Sequence, residues 1–134
     1  MSGRDLAGAG FAAILTAAFV GTVLLMIAGG AGGLFFVVPA LLLVLLVATA
    51  HFLLLGLPVA LLIAMHGRVR WWSSGLAGAL IGGVPLPAWI LLTASDLDAV
   101  GLLAVLPMAF LLGTAGLAGG LAFRATLSEV EPDA

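Results

Sequence analysis

The sequence predicts an all-α integral membrane bundle of four transmembrane helices, a single domain with its N- and C-termini in the cytoplasm. Three observations predict it. The 134-residue chain is 64% hydrophobic and only 7% charged, against roughly 25% charged in an average soluble domain. A soluble chain of this size leaves much of its surface in water and cannot hide that much apolar area. Leu6 to Gly67, Trp71 to Ser95 and Ala99 to Phe123 contain no Asp, Glu, Lys or Arg, and each stretch supplies the roughly 20 apolar residues that cross a hydrocarbon core. The four cations are all arginine, Arg4, Arg68, Arg70 and Arg124, and their positions favour four spans.

The first span is expected from about Ala9 to Ala28, ended by the glycine run Gly29, Gly30, Gly32 and Gly33, where backbone entropy opposes helix. A cleaved secretory leader is the competing reading, but the apolar run is full-length for a span and Arg4 stands beside Asp5. The second span, Leu34 to Met65, is longer than one crossing requires, reaching roughly 48 Å at helical rise. It reads as one tilted helix, kinked at Pro58 and with Pro39 near its start, or as two half-helices turning around Ala48–His51. Charge separates the two. Short Arg-bearing loops stay cytoplasmic, and four spans put every arginine inside and both cation-free loops outside, whereas a hairpin would put Arg68 and Arg70 opposite Arg4.

The third span is expected over Ser74 to Leu92 and the fourth over Val100 to Phe123, with Thr126–Ala134 an acidic, disordered tail. Arg68, Arg70, Trp71 and Trp72 at the inner end of the third span, and Trp89 near its outer end, read as lipid headgroup anchors. Trp72 and Trp89 are separated by roughly 26 Å of helix, close to the hydrocarbon thickness. His66, beside Gly67 and Arg68, reads as a wet interfacial residue. Asp96 and Asp98 in the outer loop suit the N-terminal end of the fourth helix.

Small residues recur at helical spacing: Ala9, Ala13, Ala17 and Gly21 in the first span, Gly78 and Gly82 in the third, Gly116 and Gly120 in the fourth. They let helix backbones approach closely in lipid, either within the bundle or between protomers. His51 is the one titratable group deep in a span and the candidate polar site. One bond to a neighbouring carbonyl, or to Thr16, Thr22 or Thr114, would satisfy it; a substrate, proton or partner contact is the functional alternative. One such histidine per chain does not hold haem through two axial ligands unless protomers share it.

The absences bound the rest. There is no Cys, hence no disulfide, thiol chemistry or thiolate metal site. Four arginines make no nucleic-acid surface, and no cofactor signature is present. Lys, Asn and Tyr, whose codons are A/T-rich, are missing, which points to a GC-rich bacterial genome. The set His51, Gly56 and Pro58, then Arg68-x-Arg70-Trp71-Trp72, then Gly78 and Gly82, resembles small four-helix inner-membrane proteins of proteobacteria, a resemblance that implies the fold and location but no activity. The chain does not look like four-helix multidrug exporters, since its first helix embeds no Glu, nor like four-helix fluoride channels, since it has no Asn.

The expected function is therefore a non-catalytic accessory or structural subunit, self-associating or packed in a larger membrane complex. The alternative is a small oligomeric transporter or channel with His51 lining the path. An enzyme would need a nucleophile or acid with a base beside it, and the spans offer only His51 and a few hydroxyls.

Overall fold

A computed structural model describes residues 3–29, 34–66, 70–94 and 99–130, and these are helical almost throughout, with no strand among them. The elements are α1 (Gly3–Gly29), α2 (Leu34–His51), a π-helical turn (Phe52–Gly56), α3 (Leu57–His66), α4 (Trp71–Gly83), α5 (Pro85–Thr93) and α6 (Ala99–Val130). Four stretches are long and apolar enough to cross a membrane: Arg4–Ile27, Val37–Leu62, Trp71–Thr93 and Val105–Leu127. Four such stretches are what apolar length, charge gaps and glycine breaks lead one to expect.

The long second segment is one run of helix, with no hairpin at Ala48–His51. Its irregularity lies just before Pro58. That residue has no N–H to give to the Leu54 carbonyl, and its ring would press on it. The chain answers with the π-helical turn, in which the Leu57 N–H reaches back to the Phe52 carbonyl, admitting one extra residue.

Pro85 and Pro87 act similarly on the third span. They remove two donors around Val84, yet Val84 N–H still reaches Leu80 O at 3.0 Å and Ala88 N–H reaches Val84 O at 2.9 Å, so α4 and α5 continue as one helix. That helix starts at Trp71, ahead of the expected Ser74. Ser73 closes its first turn, its Oγ accepting from Arg70 N–H at 3.2 Å and donating to Arg70 O at 2.9 Å.

One boundary needs correction. Residues 126–130, expected within a disordered tail, continue α6 to Val130. The reason is tertiary: Leu127 is buried with Ala9, Ala13 and Phe123, and Leu6, Phe52 and Ala60 pack against that cluster. Thr126 Oγ1 also donates to Ala122 O at 3.0 Å. Residues 131–134 lie outside the described residues, as do Gly30–Gly33, Arg68, Asp96 and Asp98, so the readings placed on them stay expectations.

Neighbouring helices run antiparallel, as the contacts across them show. Placing a Cβ on Gly120, Gly116 and Gly82 would meet Ser74 O, Gly78 O and Leu112 O in turn, so α4 descends as α6 ascends. Gly119 sits on Ala13 and Ala17, while Gly21 faces Ala115 and Val44. The lateral order is therefore second, first, fourth and third span, with the second and third touching only sparsely.

Candidate functional site

Helix α6 carries two small-residue rows. Gly116 and Gly120 face α4, whose row is Ser74, Gly78 and Gly82; Ala115 and Gly119 face α1, whose row is Ala13, Ala17 and Gly21. At Gly78, Gly116 and Gly120 a Cβ would fall onto a carbonyl oxygen of the facing helix. Backbones this close exchange dispersion and Cα–H contacts over their whole length. The eight small residues singled out in the sequence thus lie between helices of the same chain.

Ser74 adds a polar link, its Oγ donating to Gly120 O at 2.6 Å. The sequence reading passed it over, although it stands one turn before Gly78 on the Gly78–Gly82 row. Interhelical hydrogen bonds in lipid average about 0.6 kcal/mol. Ser74→Ala is therefore expected to lower stability by about that amount, read from denaturant titration in detergent, and to leave the bundle intact.

The second span is attached differently. Its described residues from Val37 to Leu62 include none that is buried. It touches α1 at Gly21, where a Cβ would lie 3.0 Å from Val44 Cγ1, and at Gly10, where one would lie 2.6 Å from the Phe52 ring. Phe52 also meets Phe123, ring centroids 6.3 Å apart and tilted by 50°. The π-helical turn begins at this aromatic ring, which wedges the span onto α1 and α6.

Between the helices lies a cavity of about 570 Å³, lined by residues of all four spans. Its walls are almost wholly apolar, with His51 and Ser74 as the polar side chains. His51 Nδ1 lies 2.9 Å from Val47 O. A carbonyl only accepts, so Nδ1 carries a proton and donates it. The expected satisfaction by a neighbouring carbonyl is what is found. Of the candidate partners Thr16, Thr22 and Thr114, the last two donate to Ala18 O and Phe110 O of their own helices.

The contact between Phe52 and Phe123 sets the neighbouring His51 at the level of the Phe123 end of α6, and the bond to Gly120 sets Ser74 within one turn of it. Both polar groups therefore lie toward one end of the cavity. Arg124 stands one turn beyond Gly120 on the same row. Its guanidinium lies over the Trp71 ring, 5.6 Å from the centroid, and its buried Nε has no hydrogen-bond partner. The i, i+4 series Gly116, Gly120, Arg124 was the signal for this residue, hidden because arginine there reads first as a topology marker. Arg70, Trp71, Trp72 and Trp89 are exposed, the last two at 65% and 64%. Among the described residues no group of three His, Asp or Glu converges as metal ligands would.

No protein-family model, curated protein or solved structure matches this chain.

Proposed function

We propose that the chain is a non-catalytic, multi-pass protein of the bacterial inner membrane, with cytoplasmic termini, acting as a small accessory subunit. It associates with a second copy or a larger membrane complex through the outer face of its second span. The observation that supports this is the asymmetry of packing: three spans are zipped together by small residues, while the second has no fully buried residue from Val37 to Leu62 and offers Leu42, Leu46 and Leu54, exposed at 60%, 68% and 74%. The polar inventory supports a non-catalytic role. The hydroxyls of Thr22, Thr49, Thr93 and Thr114 are bonded to their own helices, and no base faces a nucleophile among the interactions described.

The chain has no cysteine, so single cysteines test the reading cleanly. In native membranes, Leu42→Cys and Leu46→Cys are expected to give crosslinked products that Phe19→Cys, on the exposed face of α1, does not. Ala31→Cys should label from the periplasm and Ser2→Cys only after permeabilisation. Uniformly monomeric chains at every position would overturn the association, and the reverse labelling would overturn the topology.

The transporter alternative draws on the cavity with His51 in its wall. Its apolar lining disfavours a hydrated ion path. Reconstituted vesicles that pass a solute in the native chain and not in His51→Ala would favour it over the accessory role.

A further inference from the structure

The cavity runs along α6 and is graded in polarity. Its wall on α6 extends from Pro107 to Phe123, roughly 24 Å at helical rise. Walls so uniformly apolar suit a hydrocarbon chain. Water is a poor occupant, because apolar cavities without several convergent polar partners stay dry. The end near Pro107 has no polar side chain, whereas His51 and Ser74 mark the other. Just beyond that end, Arg124 lies over Trp71 with its buried Nε–H unpaired.

We infer that this cavity binds one long hydrocarbon chain bearing a phosphate head, the chain running from His51 and Ser74 toward Pro107 and the phosphate meeting Arg124. The charge is complementary: guanidinium pairs with phosphate through short, charge-assisted hydrogen bonds. The contact with the Trp71 ring uses none of the guanidinium's N–H donors in a hydrogen bond to a carboxylate or carbonyl, which leaves them for a phosphate. The sparse contact between second and third spans supplies a lateral entry. This inference rests on the membrane reading above, with Arg124 at the inner boundary. A membrane phospholipid and a polyprenyl phosphate share the required chemistry.

The test uses the full chain purified in mild detergent. A phospholipid with a diazirine at the end of its acyl chain is photolysed on the native protein, and the adducts are mapped by mass spectrometry. Adducts on Leu86, Met108 and Leu111, which line the cavity, are expected. Adducts confined to outward residues such as Phe19 and Leu46 would overturn the proposal. In parallel, native mass spectrometry is expected to retain one phosphate-headed lipid per chain. Arg124→Gln should weaken that retention about tenfold, the worth of one charge-assisted bond. Ala77→Phe, or Ala48→Phe if the first does not fold, should abolish it in a chain that remains helical and monodisperse. Retention unchanged by either filling substitution would also overturn it. Phosphatidylglycerol and polyprenyl phosphate as separate ligands identify the source, the tighter binder being the physiological class. A chain that stays monodisperse in buffer without detergent would sink the membrane reading itself, a failure separable from loss of the lipid.

Discussion

Gly116→Ala is expected to cost about 3 kcal/mol and to release the third span from the fourth. The added methyl would fall on the Gly78 carbonyl oxygen, which is backbone. A side chain relieves such an overlap by changing rotamer, but a carbonyl moves only with its helix, so the axes must separate and the neighbouring contacts at Gly82 and Gly120 weaken with them. Overpacking a tight contact typically costs about 1–3 kcal/mol, and a backbone collision belongs at the upper end. Gly78→Ala should behave alike, since its methyl would meet the Gly116 carbonyl. Gly8→Ala is the control: a Cβ there has nothing within 4 Å, and no destabilisation is expected, with a gain of up to about 1 kcal/mol from the helix preference of Ala over Gly. Thermal or denaturant unfolding in detergent measures all three. Equal stability for Gly116→Ala and Gly8→Ala would contradict the close packing of α4 on α6.

Phe52→Ala is expected to loosen the second span selectively. Complete burial of a Phe ring makes its truncation worth about 3–5 kcal/mol; Phe52 is only partly buried, so about 2 kcal/mol is the expected loss. The distribution of the effect is more telling than its size. The ring bridges Gly10 of α1 and Phe123 of α6, and no residue of the second span from Val37 to Leu62 is fully buried. Amide exchange should therefore accelerate across α2 and α3 while α4 and α6 stay protected. A uniform acceleration over all four helices would show that Phe52 supports the whole bundle and is not the particular attachment of its second span.

Legibility from sequence varied with how local each feature is. The spans could be read because charge-free length and glycine breaks are properties of contiguous residues. The pairing of Gly78 and Gly82 with Gly116 and Gly120 was half legible: small residues at i, i+4 announce a close contact, but not which helix supplies the other side. Pro58 announced an irregularity, and only the structure resolved it as a π-helical turn ahead of the proline. Neither Phe52 nor Arg124 stood out, because a phenylalanine among leucines and an arginine at a span end both have an ordinary reading. The helical continuation through Leu127 escaped for the converse reason. Its flanking Ser128 and Glu129 look like a solvated tail, and the apolar contact that holds it comes from Ala9 and Ala13, more than a hundred residues away in the chain.

By itself, then, the sequence determined that this chain is built from four long apolar helices, since those follow from local composition and from backbone groups that must bond within their own helix. Only the tertiary structure decided that the glycine rows close on one another inside the chain, that the second span is the loosely held one, and that His51, Ser74 and Arg124 gather toward one end of an apolar cavity. Those outcomes depend on the rotation and register of each helix against its neighbours. Both are set by contacts between residues far apart in sequence, which no local pattern encodes.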